Sequence, residues 1–240
     1  MATRYHGVRM IVARHEAWAE WIFLPYVRGL LRRHFHALRL VGELPELDPD
    51  LPLLIAPNHG TWWDGFFVYI LNRLVLKRQL FLMMLDEQLS RYRFFSRVGA
   101  FGIRPGLPRS VLETLRYSAG VLQDPRHALC LFPQGELRYH ALRPLGYQRG
   151  VERVLKLSGR TIQLLPLGIR CELIEDQRPE AFFLADHVHV VDSESFLGAA
   201  WLEAETEGLI DRMETAIRTR APGRVLLRGK TPVDDRWARQ

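Results

Sequence analysis

The sequence predicts a single α/β domain with a mixed, largely parallel sheet flanked by helices and preceded by an N-terminal amphipathic helical segment. From residue 37 onward, short β-like runs alternate with helical patterns, which is the order that builds a sheet covered by helices. Several β-like runs are continuously apolar, as in strands buried on both faces. With 240 residues and 48% hydrophobic content, the chain can bury one sizeable core. Residues 1–36 are predicted to form a membrane-association segment, and residues 37–240 the α/β domain.

The N-terminal segment shows apolar residues at helical spacing between about Val8 and His36. Pro25 is expected to divide this helix in two. Trp18, Trp21 and Tyr26 belong to the apolar positions, and arginines cluster towards the C-terminal end. Aromatic rings beside arginines suit a helix lying in a bilayer interface, where the rings reach headgroup level and arginine meets lipid phosphate. The pattern also fits an amphipathic helix that packs on its own domain.

The alternating elements of the α/β domain have the following expected bounds. Strands are predicted at Leu38–Val41, Leu51–Ala56, Gln79–Met84, Ala128–Phe132, Thr161–Ile169 and Phe182–Val191. Helices are predicted at Trp63–Leu74, Asp86–Arg97, Ser110–Gln123, Gly150–Leu157 and Ala199–Arg220. No window approaches the roughly 18–20 uncharged apolar residues of a spanning helix, so no transmembrane segment is predicted.

The charge balance favours an anionic partner, since Lys plus Arg number 33 against 27 Asp plus Glu. Nucleic acid is not expected, because the positive charges are scattered and no helix-turn-helix, zinc or RNP pattern is present. Cys130 and Cys171 lack CxxC spacing, which favours a reducing compartment. Residues 1–20 contain no apolar signal-peptide core, so export by that route is not expected.

The most informative segment runs from Leu53 to Gly65 and reads Leu-Leu-Ile-Ala-Pro-Asn-His-Gly-Thr-Trp-Trp-Asp-Gly. A buried strand is expected to end at Pro57, and the turn after it presents His59 at the edge where α/β sheets usually bind ligands. Asp64 can accept the Nδ1 proton of His59 and leave Nε2 free to take a proton from a hydroxyl. Alternatively, His59 satisfies hydrogen bonds of the loop and Asp64 caps the next helix.

Four ordered segments resemble the motif blocks of a known family. Asn58–Asp64 has the pattern NHxxxxD, and Val98–Arg104, Leu131–Glu136 and Leu164–Gly168 follow it. In order and separation these are similar to the four blocks of the glycerolipid acyltransferase superfamily, which includes lysophosphatidate and glycerol-phosphate acyltransferases. The resemblance covers about residues 38–170, and four ordered blocks are far more specific than one.

The resemblance implies an O-acyltransferase that takes acyl groups from acyl-CoA or acyl carrier protein, with His59 as general base and Asp64 as its partner. It places Arg104 near the acceptor phosphate, and it implies no metal and no cofactor besides the thioester co-substrate. The implied substrate-binding residues of the third block are Phe132, Pro133, Gln134, Gly135, Glu136 and Arg138. Since no serine or cysteine stands out as a nucleophile and GxSxG is absent, the acceptor hydroxyl is expected to attack the thioester without an acyl-enzyme.

The third block departs from the family pattern Phe-Pro-Glu-Gly-Thr-Arg-Ser. Gln134 replaces the glutamate, and Leu137 occupies the arginine position. A bidentate arginine is the expected reader of an acceptor phosphate, so its loss weakens the prediction of a phosphomonoester acceptor. The nearby arginines that either replace it or form only a solvated basic face are Arg138, Arg143 and Arg149. Glu136 either accepts hydrogen bonds from a neutral lipid alcohol or pairs with an arginine.

The predicted function is transfer of a fatty acyl group from an acyl thioester to a hydroxyl of a lipid-like acceptor, by a peripheral protein at the cytoplasmic side of the cell membrane. The first alternative is a lysophosphatidate acyltransferase, and the second is a lipid-binding protein that has the acyltransferase fold without activity. Backbone amides of Gly60 and Gly135 are candidate donors to the reacting carbonyl. Trp62 and Trp63 are both candidates to line a substrate channel, because they are bulky residues beside His59. Packing in the core is the favoured interpretation for each of them.

Two weaker patterns are set aside. The segment 223–231 has five residues between its first glycine and Gly-Lys, whereas a phosphate-binding P-loop has four. His187 and His189 share one strand face but lack a third metal ligand at an obvious spacing, so a structural or surface role is preferred.

Overall fold

The strands of the sheet are arranged in the order β4-β3-β5-β2-β6-β7-β1-β9, and β8 pairs with β6. The computed structural model describes residues 10–221 and 223–230. The strands are β1 (Ala37–Leu40), β2 (Leu53–Pro57), β3 (Gln79–Leu85), β4 (Ala100–Ile103), β5 (His127–Cys130), β6 (Ile162–Glu172), β7 (Glu180–Leu184), β8 (His189–Val191) and β9 (Arg224–Arg228). The helices are α1 (Ala17–His34), α2 (Asp64–Leu71), α3 (Asp86–Arg91), α4 (Pro108–Val121), α5 (Gly150–Ser158) and α6 (Ala199–Arg218).

The sheet is mixed and mostly parallel, as predicted. The run β4-β3-β5-β2-β6 is parallel throughout, and β1 is parallel to β7. Antiparallel pairing joins β6 to β7, β6 to β8, and β1 to β9. Helices follow most of the parallel strands, because a chain that returns to the same end of a sheet needs a crossover connection.

Both faces of the sheet are covered, which explains why its central strands are continuously apolar. Along β2, Leu53 and Ile55 pack in the cluster that includes α1 and α2. The intervening Leu54 and Ala56 pack on the opposite face with α4 and α5. Helix α6 lies on that second face and packs against β6 and β7. The structure therefore confirms the predicted sheet with flanking helices.

One predicted strand was wrong, and two observed strands were not predicted. The stretch Phe182–Val191 contains two strands, β7 and β8, which pair with different parts of β6. Strand β4 was not predicted because it is only four residues long and contains Gly102. Strand β9 was not predicted either; it occupies the P-loop-like segment and pairs antiparallel with β1 at the edge of the sheet.

Helix α1 is continuous from Ala17 to His34, so the expected division at Pro25 is wrong. Pro25 lies on the exposed side, beside Trp21, which is 82% exposed. A missing backbone hydrogen bond on a solvent-facing side is replaced by water, which explains why the helix continues. The preceding residues 10–16 are extended, with a bridge between His15 and Val98, and residues before them lie outside the described part of the chain.

The buried side of α1 contributes Ala19, Phe23, Val27 and Leu31 to the core cluster that also covers the sheet. The predicted boundary at residue 36 stays a prediction, but α1 and the sheet share one apolar core. Across the described residues, no helix is both long enough and apolar enough to cross a membrane.

Candidate active site

Three of the four sequence blocks meet at the carboxyl edge of the sheet. The first block follows β2, the third follows β5, and the fourth lies within β6; β2 pairs in parallel with both neighbours. Since parallel strands end at the same edge, the turns after β2 and β5 lie side by side. This topology positions His59 next to the loop that begins at Phe132.

The imidazole of His59 is held by the carboxylate of Asp64. The distance from His59 Nδ1 to Asp64 Oδ2 is 2.8 Å. The Asp64 side chain is 1% exposed and that of His59 is 23% exposed. Because a carboxylate only accepts hydrogen bonds, Nδ1 carries the proton and Nε2 presents a lone pair. No hydrogen bond to Nε2 comes from the part of the protein that the structure describes.

Asp64 is fixed by further donors from its own turn. The backbone amides of Gly60 and Thr61 donate to Oδ2 over 2.8 and 2.9 Å, and the Thr61 hydroxyl donates to Oδ1 over 2.6 Å. These bonds offset the cost of burying a charged group. Asp64 is the first residue of α2, and its carboxylate accepts from the turn before the helix and from no backbone N–H of the helix itself. The alternative that Asp64 caps α2 is therefore wrong, and its carboxylate orients His59.

Asn58 anchors the turn to the neighbouring strand. Its amide nitrogen donates to the Ile169 carbonyl over 3.0 Å, and its amide oxygen accepts from the Ile169 N–H over 2.7 Å. Asn58 is 1% exposed, and its side chain continues the β2–β6 ladder beyond Pro57. The residue before His59 is therefore tied to β6, one of the two neighbours of β2.

The third block packs directly on the base. The Phe132 ring stacks on the His59 ring with a centroid separation of 4.1 Å and an interplanar angle of 24°. Gln134 is buried, with 1% of its surface exposed. Its side-chain oxygen accepts a hydrogen bond from the His59 backbone N–H, and its side-chain nitrogen lies 3.5 Å from the His59 carbonyl oxygen. Gln148 in turn donates to the Gln134 carbonyl over 3.1 Å. Gln134 therefore clamps the main chain of the base.

The other residues of the third block lie around this clamp. Pro133 accepts from the Gln148 N–H over 2.9 Å. Gly135 has φ +72°, a backbone conformation that favours glycine, and a Cβ there would displace the Gln148 amide, 2.7 Å away. Glu136 and Arg138 form an exposed ion pair at 2.8 Å, and the Arg138 N–H donates to the His59 carbonyl over 2.9 Å.

Arg104 lies at the end of β4, three strands away from β2, which is about 14 Å at ordinary strand spacing. Its Nε and Nη2 contact the buried Asp86 Oδ2 at 2.7 and 2.6 Å. Gly102 makes room for this pair, since a Cβ there would overlap the Asp86 carboxylate. Arg104 is thus at the same edge of the sheet as His59, but its guanidinium is engaged by a carboxylate.

The two amides considered as donors to the reacting carbonyl are already engaged. The Gly60 N–H donates to Asp64, and the Gly135 N–H donates to the Phe132 carbonyl over 3.0 Å. These two amides are therefore not available to a reacting carbonyl in this structure, and the amides of their neighbours stay candidates. Both amides stabilise the turns that carry the base and the third block.

Neither cysteine is suited to act as a nucleophile. Cys130 is buried, and burial together with the nearby Asp64 carboxylate raises the pKa of its thiol far above the ordinary value. The same two causes, burial first, raise the pKa of the Cys171 thiol. Since the thiolate is the reactive form, both side chains stay protonated and unreactive at neutral pH.

His140 was not predicted as part of the site but lies beside it. A Cβ on Gly60 would lie 3.9 Å from the His140 Cβ. The His140 side chain is 13% exposed, and its Nε2 lies 3.6 Å from Glu172 Oε1 without a hydrogen-bond partner in residues 10–221 and 223–230. Burial, and secondarily the positive charge of Arg170, lowers the pKa of His140, so its ring is neutral at neutral pH. No local motif signals His140, because the loop brings it to the site only in the folded chain.

The outer face of α1 carries an exposed aromatic stripe, which consists of Trp18, Trp21, Ile22 and Tyr26. Their exposed fractions are 51, 82, 49 and 58%. The residues that line the groove of about 770 Å³ beside this stripe are Ala17, Glu20, Trp21, Ile22, Leu24, Pro25 and Arg73. Trp18 contacts Phe94 and lies under the Arg97 guanidinium, but each of the four side chains keeps about half or more of its surface exposed. The stripe therefore gives the molecule an exposed apolar surface.

The two tryptophans of the first block have different surroundings. Trp63 packs against Phe35 and His34 with centroid separations of 5.2 and 5.3 Å, which makes it part of the packing between α1 and α2. Trp62 is 61% exposed and contacts Phe66, which in turn packs on Phe23 of α1. Trp62 therefore connects the turn that carries His59 to the side of the molecule where α1 lies.

Metal binding finds no support among the described residues, where no group of three His, Cys, Asp or Glu side chains could hold an ion. His187 is exposed, and His189 packs edge-on against Trp201 at a centroid separation of 4.8 Å.

No protein-family model matches the chain, and a search of curated proteins finds no significant match. The relation to glycerolipid acyltransferases is therefore a proposal that depends on the four blocks and on the geometry of the site.

Proposed function

We propose that the protein is an O-acyltransferase that moves a fatty acyl group from an acyl thioester to a hydroxyl of a lipid-like acceptor. The observation that carries this proposal is the pair of His59 and Asp64, 2.8 Å apart at the carboxyl edge of the sheet. A base with its orienting carboxylate is the arrangement that activates a hydroxyl nucleophile. The resemblance of the four blocks to glycerolipid acyltransferases supplies the acyl thioester, carried by coenzyme A or acyl carrier protein.

In the proposed mechanism, Nε2 of His59 removes the proton of the acceptor hydroxyl as its oxygen attacks the thioester carbonyl. The tetrahedral intermediate then collapses with cleavage of the C–S bond, and the imidazolium returns the proton to the departing thiolate. Asp64 holds the ring in the productive tautomer and stabilises its positive charge. The high pKa values of the Cys130 and Cys171 thiols favour this direct transfer over an acyl-enzyme.

We further propose that the protein works as a peripheral protein at the cytoplasmic membrane surface. The exposed aromatic stripe on α1 supplies apolar side chains for the bilayer interface, and the net charge of +6 favours anionic lipid. Trp62 lies in the same turn as His59 and contacts Phe66, which packs on Phe23 of α1.

The proposal is tested by assaying purified His59→Ala and Asp64→Asn variants for thioester consumption with a panel of lipid alcohols. We expect His59→Ala to lose at least about 10³-fold in kcat and Asp64→Asn about 10²–10⁴-fold. Asparagine can still accept the amide bonds at the Oδ2 position and donate to the Thr61 hydroxyl, so Asp64→Asn should fold.

The matched control is Asp192→Asn, because Asp192 also accepts amide bonds at the start of a turn but lies before α6. This variant should keep full activity. A folded His59→Ala protein with undiminished turnover would exclude the mechanism. Absence of thioester consumption by the unaltered protein with every acceptor would favour the alternative of a non-catalytic lipid-binding protein.

A further inference from the structure

The position at which the resembling family carries its phosphate-reading arginine is apolar in this chain. Leu137 stands there and is 52% exposed. Because the Leu137 side chain is largely exposed, it is not part of the buried core. An arginine would therefore fit at this position without repacking. The residue that would give the site a bidentate contact to phosphate is therefore absent.

The arginines close to this position are all paired with carboxylates. Each has a carboxylate oxygen within 4 Å, which balances its charge. The pairs are Arg138 with Glu136 at 2.8 Å, Arg143 with Asp211 at 3.0 Å and Glu207 at 3.7 Å, Arg149 with Glu152 at 3.9 Å, and Arg170 with Glu214 at 3.0 Å and with Glu172. Arg104, the predicted phosphate contact, is likewise engaged by Asp86.

The polar groups of the third block and of the end of β6 favour a neutral ligand. Glu136 is paired with Arg138, and Glu172 is paired with Arg170. Pairs without net charge attract a phosphate dianion only weakly, whereas a hydroxyl can donate to their carboxylates. His140 adds a neutral imidazole whose buried Nε2 has no hydrogen-bond partner among the described residues. A ring nitrogen of this kind can bond a hydroxyl in either direction.

We propose that the acceptor is a lipid alcohol with an uncharged, hydroxyl-bearing head group and not a phosphomonoester. This inference rests on the proposed acyltransferase function and assigns its substrate class. The carboxylate–arginine pairs and His140 bind the hydroxyls that are not acylated, and the hydroxyl that faces Nε2 of His59 receives the acyl group.

The experiment compares acceptors that differ only in the phosphate, using 1-acylglycerol and 1-acylglycerol-3-phosphate with the same acyl chain, and an alkyl glucoside as a second neutral acceptor. We expect kcat/KM for the best neutral acceptor to exceed that for the phosphorylated one by about tenfold or more. Leu137→Arg restores a guanidinium at the apolar position and should shift this ratio towards the phosphorylated acceptor by about tenfold.

The matched control is Leu142→Arg, which adds the same charge to an equally exposed leucine of the same loop, 57% exposed. It should leave the ratio unchanged. A higher kcat/KM for the phosphorylated acceptor in the unaltered protein would overturn the inference and leave acyl transfer intact. An equal shift in both arginine variants would overturn the assignment to this position, because the effect would be one of net charge. No thioester consumption with any acceptor would overturn acyl transfer itself and the inference with it.

Discussion

At the scale of single residues, the base is held from several directions. Asp64 fixes the His59 ring, Gln134 clamps its main chain, and Phe132 covers one face of the imidazole. A base that is prevented from turning does not lose rotational freedom when the reaction begins. Glutamine at the position where the resembling family has glutamate is therefore compatible with the proposed chemistry, because an amide can both accept from the His59 N–H and donate towards its carbonyl.

Gln134 should accordingly affect turnover more than acceptor binding. Gln134→Met removes the contacts to His59 at nearly constant volume, and we expect kcat to fall about 10–100-fold with little change in KM. Gln134→Glu keeps an acceptor for the His59 N–H but places a negative charge near the imidazole. That charge favours the protonated ring, so the acidic limb of the pH–rate profile should move to higher pH.

Steady-state kinetics across pH check both variants, with the exposed Gln88→Met as control. Unaltered kcat in Gln134→Met together with an unmoved profile in Gln134→Glu would show that the clamp has no part in catalysis.

A second residue, His15, should make stability depend on pH. Burial, and secondarily the charge of His127, lowers the pKa of His15 from 6.5 to about 4. Between these values the unfolded chain binds the proton and the folded chain does not. The free energy of unfolding is therefore fully retained above about pH 6.5 and falls as pH decreases towards about 4. After allowance for the partly exposed ring, the loss is on the order of 1–2 kcal/mol.

Urea unfolding at several pH values checks this expectation. His15 packs edge-on against Phe81 at 4.6 Å, so His15→Phe preserves an aromatic ring and should flatten the pH dependence. The exposed His187→Phe variant should retain the original slope. An unchanged slope in His15→Phe would assign the acid sensitivity to other groups.

The local sequence was sufficient to predict the contact between His59 and Asp64, because both residues belong to one turn. It was not sufficient for Gln134, Asp86 or His140, whose roles depend on residues far away in the chain. Gln134 reaches His59 across 75 positions, and Asp86 reaches Arg104 only after β3 and β4 have paired. Long-range adjacency of this kind leaves no periodic signal in the sequence.

At the scale of elements, α1 has two apolar stripes, and periodicity alone could not distinguish them. The stripe with Phe23, Val27 and Leu31 is buried against α2 and the sheet, whereas the stripe with Trp21 and Tyr26 is exposed. The prediction that this helix packs on its own domain is confirmed for the buried side, and the bilayer-interface alternative stays a prediction. The membrane role is a prediction about the exposed side only.

Replacing Trp21 and Tyr26 together with serine should weaken binding to vesicles of phosphatidylcholine and phosphatidylglycerol by about tenfold, since two large interfacial side chains are lost. Co-sedimentation measures the affinity, and circular dichroism confirms that the variant is folded. Leu197→Ser is the control, because Leu197 is 73% exposed but lies next to α6. Equal binding by all three proteins would exclude this stripe as the membrane contact.

At the scale of the whole molecule, the alternation of elements predicted the fold class but not the order of the strands. The apolar runs of β2, β5 and β6 indicate buried strands. The local sequence does not predict that β2 lies between the other two. That order follows from which helices cover which face and from how short connections cross the sheet. Helix α1 contributes side chains to the apolar core on one face of the sheet, so the α/β domain depends on the N-terminal segment.

Deletion of residues 1–36 should therefore unfold the protein instead of merely releasing it from membranes. The segment buries the side chains of Phe23, Val27, Leu31 and Phe35, each at most 5% exposed. Their burial contributes about 6–12 kcal/mol, which is comparable to the whole stability of a domain, about 5–15 kcal/mol. We expect the shortened chain to lose near-ultraviolet circular dichroism and cooperative urea unfolding. A cooperative transition with the midpoint of the full chain would instead show that residues 37–240 fold alone, with α1 as a detachable membrane segment.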